Sequence, residues 1–327
     1  MRLCLLFALV GLASLPAVAR EDSPGITFHE VRGNLDILVH GKPFATYVYE
    51  DPEIPRPYFC RVMAPNGVQV TRNQPPDPAQ DEGNLDHPTF HPGIWLAFGD
   101  LGGADFWRNK ARVRHVRFDQ APRDGAVGTF AVVNAYETLD TPPRLIAEEI
   151  CAYSVRASQD ACWLIAESRF RAVAENVAFG DQEEMGFGVR LATPLTVKHG
   201  SGNILNNLGG KNEAGTWGRQ ADWCAFSGIV DGRRAGILLA ANPNNFRPSW
   251  FHNRDYGVMV VNPFGKKSMT GPKDDAVPPD ATPVDRDAPF VFGFAACVSG
   301  GDSEAHPDYD ALYAEYRSAL GALTPDR

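Results

Sequence analysis

The sequence predicts an all-β protein, a large antiparallel β-sandwich with a short helix at its C-terminus. Its apolar runs are short, rich in β-branched and aromatic residues, and bounded by Gly, Pro, Asn or Asp, which is typical of strands. The chain holds 31 glycines and 26 prolines, as expected where many turns separate short strands. Strand follows strand without the alternating helices of a parallel α/β fold, so antiparallel sheets are expected.

The predicted strands cover most of the chain. Two of the runs contain hairpin turns, HGKP at 40–43 and VDGR at 230–233, in which a glycine supplies the positive φ of a tight turn. In chain order, the strand-like runs are LDILVHGKPFATYVYE, GTFAVVNAYETL, RLIAEEICAYSV, ACWLIAESRF, MGFGVRLATPLTV, WCAFSGIVDGRRAGILLAA, YGVMVVNPF and FVFGFAACV.

Helical periodicity is clear in one segment, HPDYDALYAEYRSALGAL, at 306–323. Large apolar side chains recur there at intervals of three and four residues, which places them on one helix face. That face is formed by Tyr309, Leu312, Tyr313, Tyr316 and Leu320. The sequence therefore predicts one closing helix after the strands.

The N-terminal segment MRLCLLFALVGLASLPAVA, residues 1–19, predicts a cleavable secretory signal, because its apolar run follows one arginine and ends in Ala17-Val18-Ala19. Residues 20–327 are then expected to form a single β-sandwich domain in the periplasm or outside the cell. No later segment has the roughly 20 consecutive apolar residues of a membrane helix, so no membrane span is predicted.

The charge balance argues against a nucleic-acid partner. The chain has 31 Lys and Arg against 40 Asp and Glu, a net charge of −9, and no basic block that could follow a phosphate backbone. Long polar loops at 73–88 and 271–289 join the strands instead. Loops on a rigid sandwich are where binding and catalytic groups usually lie.

Five cysteines remain after the signal, so an exported chain would leave at least one unpaired. Cys151 and Cys162 flank the turn RASQDA and could form a disulfide across a hairpin. Alternatively, all five are small buried apolar side chains. No CxxC and no cysteine–histidine spacing predicts a zinc or haem site.

The stretch HPTFHPGIWLAFGD, residues 87–100, is the first candidate for chemistry. Its histidines, His87 and His91, are four residues apart, but Pro88 and Pro92 argue against a helix, so an extended loop is expected before the strand GIWLAF. In such a loop the imidazoles would meet only through tertiary folding. An alternative is that both histidines only bond loop backbone and hold the turn.

Carboxylates surround these histidines in the sequence. Asp86 precedes His87, and Asp105 follows in the turn GDLGGADFW. A carboxylate beside an imidazole fixes its tautomer and raises its basicity, which suits both general-base chemistry and metal ligation. Glu183 and Glu184 lie where a loop meets a strand, and a carboxylate there could act as an acid or base partner of the histidines. The alternative is that both are solvated surface glutamates.

Two further segments combine aromatic, titratable and charged side chains. The segment WFHNRDYGVMVVNPFG supplies His252, Arg254 and Tyr256, and GGKNEAGTWGRQADWC supplies Lys211, Trp217 and Arg219. Sugar-binding grooves need that mixture, because sugar rings present C–H faces to aromatic rings and hydroxyls to planar polar groups. The alternative is a strand-end ion pair beside core aromatics. No nucleophile elbow, HExxH or phosphate-loop pattern is present.

Ordered motifs over roughly residues 40–300 resemble the secreted PmoA-like family, which carries the label methane oxygenase and is also known as a domain of unknown function. The motifs are RPYFCRVMAPNGVQVTRN, DHPTFHPGIWLAFGD, ADFW, TWG, ADWCAFSG, HNRDYG and NPFG. The label implies membrane-bound copper chemistry, which a chain without a membrane span does not support. The resemblance implies a β-sandwich, with the galactose-mutarotase-like supersandwich as one form, encoded among genes of carbohydrate degradation.

The family pattern D-H-x-H-H-R-G-[LI]-W differs from DHPTFHPGIW, which is one residue longer and has Thr89 and Phe90 in place of the central histidines. A divalent metal held by His87, His91 and an acid remains an alternative, and no cofactor is certain. Residues on matching motifs are His87, His91, Trp95, Asp105, Trp107, Trp217, His252, Arg254 and Tyr256.

The leading hypothesis is an exported carbohydrate-active protein, an enzyme such as a glycoside hydrolase, lyase or epimerase, that acts on a sugar or oligosaccharide by acid–base chemistry. His87, His91, His252 and Glu184 are the predicted catalytic residues. The alternative is a non-catalytic glycan-binding module. The predicted substrate-binding residues are Trp95, Asp105, Trp107, Lys211, Trp217, Arg219, Arg254 and Tyr256.

Overall fold

The computed structural model describes residues 25–158, 160–270, 280–302 and 306–323. Two antiparallel sheets pack face to face, so the prediction of a large β-sandwich with a C-terminal helix is confirmed. The predicted signal at 1–19 and part of the 271–289 loop lie outside the described residues.

The described elements comprise nineteen strands, three α-helices and a 3₁₀ turn at Thr193–Leu195. In chain order the strands and helices are β1 (Ile26–Val31), β2 (Asn34–Val39), β3 (Lys42–Val48), β4 (Tyr58–Cys60), β5 (Ile94–Phe98), β6 (Ala111–Arg123), β7 (Val127–Thr138), β8 (Leu145–Ala157), β9 (Ala161–Ala172), β10 (Ala178–Phe179), β11 (Met185–Arg190), β12 (Asn203–Asn206), α1 (Asn212–Thr216), β13 (Arg219–Gln220), β14 (Trp223–Val230), β15 (Arg233–Ala241), β16 (Trp250–Arg254), β17 (Val258–Asn262), α2 (Lys266–Thr270), β18 (Thr282–Pro283), β19 (Phe290–Gly301) and α3 (Tyr309–Leu323).

The strands form two large sheets and one small one. A nine-stranded sheet has the order β1-β2-β3-β4-β5-β11-β17-β16-β13, and an eight-stranded sheet has the order β12-β14-β15-β19-β9-β8-β7-β6. Strands β10 and β18 pair separately. The central strands of the nine-stranded sheet are therefore β5, β11, β17 and β16, which come from distant parts of the chain.

Both predicted hairpin turns are present. His40 and Gly41 join β2 to β3 with φ of 49° and 74°, and Asp231 and Gly232 join β14 to β15 with φ of 49° and 73°. Two consecutive residues at positive φ define the turn whose twist matches that of paired strands. The local sequence thus sets the register of both hairpins.

The main core lies between the two sheets, where alternate residues of each strand point inward. Aromatic rings fill its centre, and Phe98 contacts Phe170, Phe179, Phe264 and Phe292. Helix α3 covers a second cluster on the outer side of the eight-stranded sheet, where Trp163 stacks on Tyr316. The predicted helix face is therefore the buried one.

All five described cysteines are free and buried. Cys151 lies opposite Ser168 and Cys162 opposite Ala157, so the β8–β9 register separates the two thiols along the hairpin. The proposed Cys151–Cys162 disulfide is absent from the described residues, and the alternative of buried apolar thiols holds. Burial raises the pKa of Cys162 to about 11, so that thiol stays protonated.

No helix in the described ranges is long and apolar enough to cross a membrane.

Candidate functional site

Most predicted site residues lie on the outer face of the nine-stranded sheet, the side turned away from the eight-stranded sheet. Residues directly opposite each other in an antiparallel sheet share a face, so each cross-strand row points one way. One row on the outer face consists of Trp95, Gly188, Val260 and His252. The next row consists of Arg190, Val258 and Arg254.

The histidine loop, residues 84–92, lies over this face next to β5. The N–H of His91 donates to the carbonyl of His87 at 3.2 Å, which closes one helical turn and brings the two rings to 5.1 Å between centroids. The expectation of an extended loop is therefore wrong. Pro88 takes the first position of the turn, where a missing N–H costs nothing, and Pro92 follows the turn.

Two buried arginines hold the histidine loop from below. Arg72 donates to the carbonyls of Asn84 and Asp86 at 2.7 Å and to those of His87 and His91 at 3.2 and 3.3 Å. Arg56 donates to the carbonyl of Phe90 and, at 3.0 Å, to those of Phe106 and Trp107. Planar guanidinium groups with several fixed donors can satisfy carbonyls that no strand partner reaches.

Asp86 and His87 form a charged pair at the surface. His87 Nδ1 lies 2.6 Å from one Asp86 oxygen, and the buried Arg190 pairs with the other. Burial raises the pKa of Asp86, but the His87 hydrogen bond and the Arg190 charge outweigh it and hold the pKa below its usual value. The carboxylate therefore stays ionised and fixes His87 with its Nε2 away from Asp86.

His91 is buried under this pair. Its ring stacks on Trp95 at 5.1 Å with 13° between the planes, and Arg190 Nη1 lies 3.4 Å from its Nδ1. A guanidinium can only donate, so His91 Nδ1 accepts and the ring proton sits on Nε2. Burial and the Arg190 charge lower the pKa of His91 well below its usual value, so the ring is neutral.

His252 repeats this pattern on β16. Trp217 Nε1 donates to His252 Nδ1 at 3.3 Å, which again places the ring proton on Nε2. Burial and the nearby Arg254 charge lower the pKa of His252 to about 3. The two buried imidazoles are therefore neutral hydrogen-bond donors with their Nδ1 atoms occupied, which differs from the expected role as general bases.

Ion pairs border the outer face on the side of the loop before β11. Glu184 pairs with Arg108, whose Nη1 also lies 3.1 Å from Asp105. Asp105 accepts the N–H groups of residues 107 and 108 at 3.1 and 2.9 Å, so it also fixes its own turn. The predicted Glu184 and Asp105 are thus joined through one arginine.

A second set of ion pairs surrounds Arg254. Its guanidinium pairs with Glu213 at 2.8 Å and lies 3.7 Å from Glu183 and 5.4 Å from the centre of the Trp217 ring. The guanidinium carbon of Arg190 lies 4.6 Å from the centre of the Tyr256 ring. Trp217 and Tyr256 are half-buried, so each keeps part of its ring accessible to a ligand.

The other two predicted tryptophans are packing residues. Trp95 and Trp107 are both 1% exposed and meet edge to face at 5.4 Å. The Trp95 ring lies over Gly188, where an added Cβ would come within 2.7 Å of it. In this arrangement the two rings support the histidine loop and do not offer a face to a ligand.

Lys211 and Arg219 lie apart from this set. Lys211 is exposed before α1 and its side chain has no polar contact within the described residues. Arg219 lies opposite Phe251, whose ring is in the inter-sheet core, so Arg219 is on the other side of the sheet from His252. The structure does not bring these two cations to the outer face.

The three histidines do not converge on one point. His87 and His91 are adjacent, but Trp95 and His252 are three strands apart, about 14 Å at the usual strand spacing. The four clefts of about 330 to 500 Å³ on other parts of the molecule are lined by residues other than these three histidines. No group of three metal-ligating side chains occurs in the described part of the chain.

Sequence reasoning missed the arginines that organise this site. Arg190 is fully buried within the apolar strand MGFGVRLA, and Arg72 within the run VQVTRN. A charged residue inside an apolar strand pattern is a sign of a buried, fully paired cation, and that signal could have found both. Glu183 was identified from the sequence beside Glu184, and Glu213 lies in the predicted segment GGKNEAGTWGRQADWC, but their shared partner Arg254 follows only from the fold.

Fold and site together define a β-sandwich protein with a polar and aromatic outer face. Residues 34–307 match the Family of unknown function (DUF6807), so the chain belongs to that family. Among curated proteins, none matches this chain. The label methane oxygenase, which the sequence already argued against, has no counterpart in these findings.

Among solved structures, the chain is similar to a galactose mutarotase-like protein from Lactobacillus casei ATCC 334, with 10% identity, a TM-score of 0.41, and coverage of 85% of this chain and 100% of that one. It is also similar to the GH36 α-galactosidase AgaA from Geobacillus stearothermophilus, with 10% identity and a TM-score of 0.40. The matches span 85% of this chain and 41% of the α-galactosidase.

Proposed function

We propose that this protein binds a sugar or oligosaccharide on the outer face of the nine-stranded sheet and moves a proton on it with the Asp86–His87 pair. One observation carries the proposal: an exposed imidazole lies 2.6 Å from a carboxylate that a buried arginine fixes in place. This is the arrangement of a histidine oriented for general acid–base chemistry.

The chemistry follows from the tautomer. His87 Nδ1–H donates to Asp86, so Nε2 keeps its lone pair, and the His87 side chain is 48% exposed. That lone pair can accept a proton from water or a sugar carbon, and the resulting imidazolium is stabilised by Asp86. Hydrolysis, elimination and epimerisation all require such a transfer at a ring carbon or a glycosidic oxygen.

Other residues of the face would bind the sugar. Trp217 and Tyr256 offer partly accessible rings for the C–H face of a pyranose. Glu183, Glu184 and Arg254 can exchange hydrogen bonds with hydroxyls, and Glu184 is the proposed second carboxyl group. His91 and His252 lie buried beneath these residues, and each carries a proton on Nε2.

An exported location is part of the proposal. The matched family region begins at residue 34, after the segment that predicts a secretory signal. Detection of mature protein beginning near Arg20 in the periplasm or medium of the native cell would support export, and an uncleaved cytoplasmic chain would contradict it.

The test of catalysis uses two nearly isosteric variants. His87→Gln and Asp86→Asn should each lower turnover of a responsive sugar by about 10²- to 10⁴-fold, because both remove the oriented base. His87→Gln should keep the wild-type melting temperature, whereas Asp86→Asn should lower it, because the buried Arg190 loses its charged partner. His29→Gln, an exposed histidine on β1, is the matched control and should retain full activity. Unchanged turnover in His87→Gln would contradict the assignment.

A non-catalytic glycan-binding module is the second candidate. It is favoured by the burial of His91 and His252, which are 4% and 5% exposed. In that case the wild-type protein and His87→Gln should both bind sugar, and neither should form product. Calorimetric titration followed by mass spectrometry of the recovered sugar separates the two candidates.

A further inference from the structure

A second polar cleft lies away from the histidines. The loop of residues 242–245, called here the asparagine loop, leaves the end of β15 and separates two adjoining clefts of about 340 and 330 Å³. Asn242 and Asn245 line both clefts. The second cleft is floored by outward-facing residues of the eight-stranded sheet, among them Ala152 and Ile165, so it opens on the opposite side of the sandwich from His87.

The clefts offer amide and hydroxyl groups with free hydrogen-bonding capacity. Asn242 accepts from the N–H of Asn244 through its oxygen, but its amide nitrogen has no partner among the described residues. Gln220 donates to the carbonyl of Pro248, which leaves its side-chain oxygen free. The Tyr313 hydroxyl on α3 also faces no partner within the described ranges. Donors and acceptors of this kind match sugar hydroxyls.

The arginines around the clefts are already paired with acids. Arg247 pairs with Asp280 at 2.6 Å and Arg169 with Glu167 at 2.8 Å. Asp222 accepts from the amide of Asn207 at 3.1 Å. An anionic ligand would have to displace an acid from its arginine, whereas an uncharged one would not. The pairing therefore favours a neutral ligand over an anionic one.

Two further features indicate a ligand. The hydroxyl of Ser249, a residue that is 1% exposed and lines the first cleft, has no hydrogen-bond partner in the described chain. Buried polar groups are nearly always paired, so this hydroxyl lacks an expected partner. Leu208 lines the same cleft and is 69% exposed, which provides an apolar surface beside the amides.

We propose that the clefts at the asparagine loop form a binding site for a neutral saccharide, independent of the site at His87. Volumes of about 300 to 1,000 Å³ suit small-molecule ligands, and each cleft has room for one sugar residue. The Asn242 amide, the Gln220 oxygen and the Tyr313 hydroxyl bind the sugar hydroxyls, and Leu208 contacts its apolar face.

The test is methyl-resolved NMR of the full chain titrated separately with maltose, cellobiose and lactose. Leu208 reports on the cleft, and Leu85, in the histidine loop and 43% exposed, reports on the other face. At least one disaccharide should shift the Leu208 methyl signals saturably, with a Kd of about 1 to 10 mM for so few hydrogen bonds. Glucuronate should shift them more weakly, because its charge finds no free partner.

Variants connect the signal to the cleft. Tyr313→Phe removes only a hydroxyl and should weaken the Leu208 response by about 3- to 10-fold, and Asn242→Ala should do the same or more. His87→Gln is the control and should leave it unchanged. No saturable Leu208 shift with any disaccharide, or a shift that both cleft variants retain, overturns this inference. The Leu85 response reports separately on the proposed function.

Discussion

Asp86 shows how a single side chain orients a neighbouring one. One of its oxygens orients His87 and the other is held by Arg190, so the imidazole has a fixed partner although both residues are exposed. The sequence placed Asp86 next to His87, but not Arg190, which is 104 residues away along the chain. Pairings of that kind depend on the register of the sheet and cannot be derived from local spacing.

Glu149 is a buried carboxyl group with no basic partner in the described chain. It lies in the inter-sheet core, where Asn134, Tyr136 and Ser168 donate to it. Burial raises its pKa despite these hydrogen bonds. The native state therefore favours the protonated form, whose contribution to stability is complete below the usual pKa of a glutamate and is lost as the pH rises toward the raised value.

We predict that Glu149→Gln raises the melting temperature at pH 8, because glutamine keeps the hydrogen-bonding shape without the ionisation cost. The gain should shrink as the pH falls and disappear below the usual glutamate pKa of 4.5, where the wild-type carboxyl becomes protonated in both states. Differential scanning fluorimetry across pH measures this. A gain of equal size at every pH would show that ionisation is not the cause.

The histidine loop shows how an element without regular secondary structure is kept in place. The guanidinium of Arg72 donates to four of its carbonyls, which takes the place of the ladder hydrogen bonds of a strand. We predict that Arg72→Met destabilises the protein by about 3 to 5 kcal/mol, because buried carbonyls lose their donors. Denaturant unfolding measures the loss.

Arg61→Met is the matched control for Arg72→Met. The Arg61 side chain is 65% exposed and lies 3.6 Å from Asp36, so its removal should cost less than about 1 kcal/mol. Equal losses for the two variants would contradict a special role for Arg72 in holding the loop.

The junction between the histidine loop and β5 depends on a glycine. Gly93 has φ of 74°, and an added Cβ would lie 2.0 Å from the carbonyl oxygen of Phe59. Gly41 has the same φ with nothing within 4 Å. Gly41→Ala should therefore lower the free energy of unfolding by about 1 kcal/mol through backbone strain alone. Gly93→Ala should lower it by about 1 to 3 kcal/mol more because of the steric clash.

Denaturant unfolding of the two alanine variants isolates the clash, because the backbone strain is common to both. A Gly93→Ala variant as stable as Gly41→Ala would mean that β4 and β5 separate easily at this point. The register of the site on β5 would then be less fixed than the contacts indicate.

Strands with clear apolar patterns were predictable, and strands with charged faces were not. Strand β6, Ala111–Arg123, reads ARVRHVRFDQAPR and lies at the edge of its sheet, where charged outward residues are common. Its alternating arginines hid the strand pattern. The turn at His87 was mispredicted for a different reason, since Pro88 was read as a helix breaker and not as the start of a turn.

At the scale of the whole molecule, the sandwich has two outer faces with different coverings. Helix α3 packs on the eight-stranded sheet, and the histidine loop packs on the nine-stranded sheet. The sequence predicted the layers and the helix. It could not assign the predicted site residues to one face, because β5, β11, β17 and β16 become neighbours only through long-range pairing.

The buried thiols give a prediction for the whole fold. In protein without residues 1–19, which contain Cys4, a thiol reagent should react with no cysteine in the native state and with all five after unfolding, because Cys60, Cys151, Cys162, Cys224 and Cys297 are free and buried. Reductant should leave the melting temperature unchanged. A thiol count below five in unfolded, unreduced protein would indicate a disulfide.

Proton transfer to a sugar by Asp86–His87 is tested by mass spectrometry of oligosaccharides incubated with the protein in D₂O and in H₂¹⁸O. Epimerisation leaves deuterium on carbon, hydrolysis incorporates ¹⁸O, and elimination gives an unsaturated product. We expect one of these labels or products with wild type, reduced at least about 100-fold in His87→Gln. Equal labelling by His87→Gln, or none with any sugar that binds wild type, would contradict it.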